Sequence, residues 1–178
     1  IPAELVSYSI PEDYKEIDTN PVQFVNTFEE ACEIAGFTPR IPKNIPSKYE
    51  MDSIAVGIND NVITFYFTQT DERKNRVVIL QGKSEEHMKL ASTSVLGKIG
   101  EKVAEIQSPV QGNFGILGAG TPYAGITDIT SIRWQQDGFE YAVIGNDSID
   151  LLSLFVESIT GEKLLIPSEK EDMTEKPE

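Results

Sequence analysis

The residue types that usually carry catalysis are scarce in this chain and poorly placed for it. His87 is the only histidine and Cys32 the only cysteine, so two-histidine metal motifs and cysteine-ligated zinc or iron–sulfur centres are excluded. His87 stands in a charged stretch typical of a solvated surface. Cys32 lies between Glu30 and Glu33, whereas a reactive thiol needs positive neighbours. The sequence therefore predicts no catalytic residue and no enzymatic activity, with a carboxylate-based hydrolase as a minor alternative.

Oxygen-rich and glycine-rich stretches do not form a recognisable metal or cofactor site either. The chain has 29 Asp and Glu residues, but no spacing singles out a catalytic pair. Stretches 59–61 and 146–150 do not match a calcium-binding loop, and turn or helix-cap roles explain both. The run GILGAG at 115–120 resembles the start of a dinucleotide fingerprint, but residues 121–125 lead into β-type sequence instead of the required helix. Neither a metal nor a cofactor is predicted.

Four aromatic residues gather around one predicted hairpin: Tyr123, Trp134, Phe139 and Tyr141. Cross-strand packing in the core explains such a group best. A face on which a ligand or a partner stacks is the alternative. These four residues are accordingly the predicted ligand or partner surface.

Composition narrows the classes of partner. The formal net charge of −14 repels phosphate backbones and anionic lipid headgroups, so nucleic-acid binding and direct membrane insertion are not expected. The longest apolar stretches, 77–80 and 151–156, are far shorter than the ~20 residues that cross a bilayer. Because residue 1 is not Met, the chain is expected to be a processed or truncated product, with any signal peptide or anchor upstream. An unknown protein or a small molecule is left as the expected partner.

The pattern along the chain predicts an α+β fold. A capping box at Thr27 starts a helix that Gly36 ends, and residues 146–148 cap a second helix that Gly161 ends. A short helix capped by Ser84 is also predicted and extends to residue 90. Six strands are predicted, over 49–58, 62–70, 76–81, 102–106, 126–135 and 139–144. Because hairpins join most of them, we expect a curved antiparallel sheet of about six strands with two main helices packed on one face.

Two flanking segments are expected to lie outside this domain. Residues 1–22 carry three prolines without a helix or strand period and are predicted to be an arm or linker. The domain is predicted to span 23–167. Residues 168–178 have only Met173 as an apolar residue and are predicted to be a flexible acidic tail. Segment 39–46 has three prolines and is predicted to cross the surface in an extended form.

Two stretches resemble an uncharacterised bacterial family. Residues 27–37 (TFEEACEIAGF) and 41–49 (IPKNIPSKY) are similar to its opening helix followed by an apolar-Pro and a Pro-x-x-Tyr motif. Residues 134–145 (WQQDGFEYAVIG) resemble its Trp-x-x-(Asp/Glu)-Gly-x-x-Tyr hairpin, which precedes a last helix. This sequence departs from the family in its long glycine-rich stretch 112–125.

The resemblance implies an exported domain of the kind found in anti-sigma-factor-like membrane proteins and lipoproteins of Gram-positive bacteria, without assigned enzymatic activity. We therefore expect a non-enzymatic extracytoplasmic sensing or binding domain, anchored to the cell membrane through an upstream segment, whose ligand lies on the concave side of the sheet. A lipid or lipoprotein carrier with an apolar cavity under a curved sheet is the alternative.

Overall fold

A computed structural model describes residues 21–84, 87–111, 115–117 and 128–167. Two helices, nine strands and one 3₁₀ turn make up this part of the chain. In chain order the elements are β1 (Val22–Val25), α1 (Phe28–Ala35), β2 (Tyr49–Gly57), β3 (Ile63–Gln69), β4 (Arg76–Lys83), β5 (Val95–Ile99), β6 (Lys102–Gln107), the 3₁₀ turn (Gly115–Leu117), β7 (Thr130–Gln136), β8 (Phe139–Gly145), α2 (Ile149–Thr160) and β9 (Leu164–Leu165).

The strands of the described residues form one antiparallel sheet in the order β1-β2-β3-β4-β8-β7-β6-β5-β9. The α+β class is confirmed, but the prediction of about six strands is wrong because β1, β5 and β9 were missed. Strand β5 has a glycine at its centre, which weakens the strand pattern. In the structure an added Cβ on Gly97 would lie 2.8 Å from the carbonyl oxygen of Leu165, so the glycine admits the edge strand β9.

The predicted ends of both helices are confirmed. The Thr27 hydroxyl accepts the backbone N–H of Glu30 at 3.1 Å, and the Ser148 hydroxyl accepts that of Leu151 at 3.3 Å. Each helix ends at a glycine with a left-handed φ, 75° at Gly36 and 74° at Gly161. These contacts satisfy backbone groups that a helix end leaves unpaired.

The main hydrophobic core joins both helices to one face of the sheet. Buried residues of α1 and of α2 belong to the same apolar cluster as residues of β2 to β8. Phe155 of α2 lies at its centre, with its ring centroid 5.4 Å from that of Tyr49 and 5.3 Å from that of Phe67. Burial of the Phe155 ring against these two strand residues stabilises the packing of α2 on the sheet.

The opposite face of the sheet is also covered over its central strands. Residues of β8 are buried along almost the whole strand, and β4, β6 and β7 have buried residues pointing to both sides. A second apolar cluster on this side contains Val110, Leu117, Ala142 and Ile144. Strands of an antiparallel sheet usually alternate between core and solvent, so burial on both faces shows that loops cover the second face.

Two other local predictions have mixed outcomes. The hairpin turn at Asp137 and Gly138 is confirmed, with φ values of 53° and 78° as a two-residue type I′ turn requires. The short helix from Ser84 to residue 90 is wrong for the described residues, because 84 and 87–90 are not helical. Polar Ser and Thr after residue 90 offer helix continuation little support. Residues 1–20 of the predicted arm, the predicted tail 168–178 and most of stretch 112–125 lie outside the described residues.

Asp147 connects the start of α2 to β2 and to the turn before β4 by hydrogen bonds. Its carboxylate accepts hydrogen bonds from the Tyr49 hydroxyl at 2.8 Å, the Asn75 amide at 3.4 Å and the backbone N–H of Ser148 at 2.8 Å. Burial raises the pKa of Asp147, but these three hydrogen bonds and the Lys48 ammonium outweigh it, and the net pKa is lowered. Burial, together with the hydrogen bond to Asp147, raises the pKa of Tyr49 above its ordinary value.

This network predicts a pH-dependent effect of Asp147→Asn. A carboxyl group whose pKa is lower in the folded state stabilises the fold above its unfolded pKa of about 4, and this stabilisation is lost as the pH falls through the folded pKa. We expect the substitution to lower the free energy of unfolding by about 1–2 kcal/mol near neutral pH. The difference from the unsubstituted protein should shrink toward zero as the pH falls through the lowered pKa of Asp147.

Urea titrations at several pH values measure this difference, with the exposed Asp52→Asn as the matched control. An Asp147→Asn effect that is equally large in acid and at neutral pH would contradict the assigned role of the ionised carboxylate.

Candidate functional site

The covered second face of the sheet carries a row of polar side chains where a core would ordinarily be apolar. Cross-strand pairing places Arg133 of β7 directly opposite Glu105 of β6, and Gln135 of β7 directly opposite Glu140 of β8. We call the following five residues the polar row: Glu105, Gln107, Arg133, Gln135 and Glu140. Four of them are buried and Gln135 is partly buried.

Arg133 is the centre of the polar row. Its guanidinium donates to one Glu105 oxygen from Nε at 3.1 Å and from Nη2 at 2.8 Å, and to Glu140 from Nη1 at 2.9 Å. The side chains of Arg133 and Glu105 are both 0% exposed. One positive and two negative groups are therefore buried together, and each carboxylate is held by the same cation. Buried charges persist in proteins when they are paired and hydrogen-bonded in this way.

The polar row binds the backbone of the two loops that cover it. The first covering loop is residues 87–94, and the second is the described residues 108–111 and 115–117. Row side chains accept the backbone N–H groups of Met88, Ala91, Gln111 and Ile116, and Arg133 donates to the carbonyl oxygen of Lys89. These loops have no strand partner there, so the row satisfies backbone groups that burial would otherwise leave unpaired.

Gly115 allows the second covering loop to approach the charged groups. A Cβ at this position would lie 2.3 Å from Glu140 Oε1 and 2.7 Å from Arg133 Nη1. The residue also has a φ of 51°, in the left-handed region that favours glycine. A side chain at position 115 would therefore displace the Glu140 carboxylate.

A groove on the molecular surface is the other feature with polar and apolar groups in one place. It runs between the proline-rich segment and the C-terminal end of α2, with a volume of about 530 Å³. A neighbouring hollow of about 410 Å³ shares much of its lining and adds Pro46 and Leu154. We call the two together the α2 groove; it is lined by Arg40, Ile41, Lys43, Asn44, Pro46, Leu154 and residues 157–161.

Hydrogen bonds hold the proline-rich wall of the α2 groove in place. The backbone N–H of Lys43 donates to the carbonyl oxygen of Ser158 at 2.8 Å. The amide side chain of buried Gln81 accepts from the Arg40 N–H at 2.8 Å and donates to the Arg40 carbonyl at 2.6 Å. Because prolines also restrict φ in this segment, the α2 groove is a preformed feature of the fold.

Of the four aromatic residues predicted as a ligand or partner surface, the three that the structure describes all lie in or against the main core. Trp134 and Tyr141 are buried in the main core, where their rings stack with centroids 5.2 Å apart and planes 6° from parallel. Neither ring can receive a ligand from solvent, so the packing interpretation applies to both. Phe139 is partly buried and its ring lies 5.0 Å from that of Phe37. Tyr123 lies outside the described residues.

Sequence reasoning missed both the polar row and the α2 groove. One signal for the row was present, because Arg133 and Glu105 occupy alternate positions in strands whose other face is strongly apolar. Polar residues at alternate positions of a strand are equally compatible with a sheet face that is exposed to solvent. Only the fold of the covering loops distinguishes burial from exposure there.

The geometry defines the chain as a mixed α+β domain with one antiparallel sheet covered on both faces over its centre. No protein-family model matches this chain, and neither a curated protein nor a solved structure matches it significantly. None of the helices in the described residues is long and apolar enough to cross a membrane. In the same part of the chain, no three metal-ligating side chains are grouped so that they could hold an ion.

Proposed function

We propose that this chain is a non-enzymatic extracytoplasmic binding or sensing domain, and that its ligand occupies the α2 groove. The observation that carries the proposal is the groove itself, a preformed hollow in which exposed apolar and charged side chains converge. Concave sites of this size with a few placed polar groups are typical of ligand binding. The location differs from the sheet face expected from the sequence, because loops and helices cover the central strands.

The lining of the α2 groove favours a ligand with both apolar and polar parts. Ile41 and Leu154, which line the two adjoining hollows, are 48% and 47% exposed and offer apolar surface to a ligand. Lys43 and Glu157 contribute one charge of each sign. A small molecule or a short peptide that buries the apolar residues and pairs with these charges would gain affinity from both.

The buried carboxylates give little support to the hydrolase alternative. A carboxylate pair in a glycosidase-like site faces substrate, with one group protonated and the other ionised. Glu105 and Glu140 instead share the same guanidinium beneath two loops. We therefore retain the non-enzymatic proposal. Failure of the purified protein to hydrolyse a panel of glycoside, ester and peptide substrates is the expected result.

The carrier alternative also lacks an observation in its favour. Trp134, Phe155 and Ile132 are each 0% exposed in the main core, so these apolar side chains do not line an open cavity that would support a carrier. Native mass spectrometry should find the purified protein without bound lipid.

Two groove variants test the proposed binding function. A fraction of cell-envelope extract that contains the ligand should raise the melting temperature of the unsubstituted protein, and the immobilised protein should capture that ligand from the fraction. We expect Lys43→Glu and Leu154→Asp to abolish both effects. Matched controls are Lys98→Glu and Leu165→Asp, since Lys98 and Leu165 are also exposed but lie on β5 and β9, outside the groove lining. The controls should behave like the unsubstituted protein. Absence of any binding, or equal loss in groove and control variants, would overturn the proposal.

The extracytoplasmic location is a separate part of the proposal. It rests on the family resemblance of residues 27–49 and 134–145. In cells that express the full gene product, we expect added protease to degrade this domain without lysis. Protection until the cells are lysed would contradict the location without affecting the binding proposal.

A further inference from the structure

We propose that the Glu105–Arg133–Glu140 cluster couples the two covering loops, so that displacement of one loop loosens the other. Each loop donates a backbone N–H to a different carboxylate of the cluster, and one direct hydrogen bond, from Gln111 Nε2 to Thr93 Oγ1, also joins the two loops. The second covering loop is attached through Ile116, whose backbone N–H donates to Glu140 Oε1 at 3.1 Å. The first is attached through Ala91, whose N–H donates to Glu105 Oε2 at 2.7 Å, and through the Lys89 carbonyl, which accepts from Arg133. This inference does not depend on the proposed function.

Besides the direct bond, a connection between the loops runs through three adjacent strands. It passes from Glu140 on β8 to Arg133 on β7 and then to Glu105 on β6, with nitrogen–oxygen distances of 2.9 Å and 2.8 Å. Since all three side chains are buried, no bulk water is available to replace a lost partner. A shift of Glu140 therefore changes the position at which Arg133 is held, and with it the contacts to Lys89 and Glu105.

This arrangement meets a physical requirement for coupling between separate segments. Energetic coupling needs a contiguous network whose arrangement both segments influence. Each covering loop donates a backbone N–H to a different carboxylate, and the two carboxylates share one cation. A partner that displaces residues 115–117 would thereby lower the free energy of opening of residues 89–91.

Gly115→Ala provides a perturbation from the second covering loop alone. Its added methyl group would meet the Glu140 carboxylate and Arg133 Nη1, while residue 115 makes no contact with the first loop through the described hydrogen bonds. Gly36→Ala is the matched control, since Gly36 has a φ of 75° and no atom within 4 Å of an added Cβ. Both variants strain a left-handed backbone, but only Gly115→Ala pushes on the charged cluster.

Residue-resolved hydrogen exchange is the measurement. We expect Gly115→Ala to accelerate exchange of the Ala91 amide at least about tenfold relative to amides in the β3–β4 pair. Gly36→Ala should produce no such selective change. If Gly115→Ala does not fold, Glu140→Gln serves, because it keeps the shape of the side chain and removes its charge. The coupling would be overturned if the exchange rate of the Ala91 amide in a folded variant stayed unchanged, or if it rose only as much as the rates of the β3–β4 amides.

Discussion

Replacement of Arg133 by methionine is expected to lower the free energy of unfolding by about 3–5 kcal/mol. Methionine fills similar space, but it leaves Glu105 and Glu140 buried without their shared cation. The carbonyl of Lys89 also loses its donor. Uncompensated buried charge is among the most destabilising changes a single substitution produces. Urea denaturation followed by circular dichroism measures the effect.

A triple variant separates the cost of unpaired charge from the cost of lost packing. When Glu105→Gln and Glu140→Gln accompany Arg133→Met, no ionised side chain of the cluster is left without a partner, and glutamine oxygens still accept backbone N–H groups. We expect this variant to recover more than about half of the loss, because replacing a buried ion cluster is less costly than breaking it. A cost below about 1 kcal/mol for Arg133→Met alone would show that the cluster is not buried as described.

Phe155→Ala should destabilise the protein by about 3–5 kcal/mol as well, for a different reason. Its ring is fully buried and packs between Tyr49 and Phe67, so its removal leaves a cavity at the contact between α2 and the sheet. The adjacent Leu154→Ala is the control, since Leu154 is 47% exposed and its truncation should cost no more than about 0.5 kcal/mol. Equal costs at the two positions in urea titrations would contradict the assigned orientation of α2.

Local features of the fold could be predicted from the sequence because their physical causes are local. The hydroxyl of Thr27 and the glycines that end both helices act within a few residues. Asp137 and Gly138 define their hairpin in the same way. These features established the α+β class even though three strands were missed.

Non-local features were beyond such reasoning. Strand β9 has only two residues, and its pairing with β5 depends on the approach that Gly97 permits. The polar row depends on loops that fold back over β6 to β8, so the same alternation of residues is compatible with a solvated face. Curvature of the sheet stays a prediction.

The aromatic group shows why residue type alone did not locate a binding surface. Trp134 and Tyr141 stand opposite each other on adjacent strands, which is equally suitable for core packing and for stacking on a ligand. Their burial depends on α2, which covers that face of the sheet. The α2 groove could not be anticipated because its two walls come from segments that are more than a hundred residues apart in the chain.

The most direct test of the binding proposal is a map of ligand contacts by amide chemical shifts. The labelled protein is titrated with the envelope fraction that raises its melting temperature. The proposal predicts that the largest shifts fall on residues 40–44 and 157–161, and that they disappear in Leu154→Asp. Shifts confined to other surfaces, or a fraction that binds Leu154→Asp and the unsubstituted protein equally well, would contradict it.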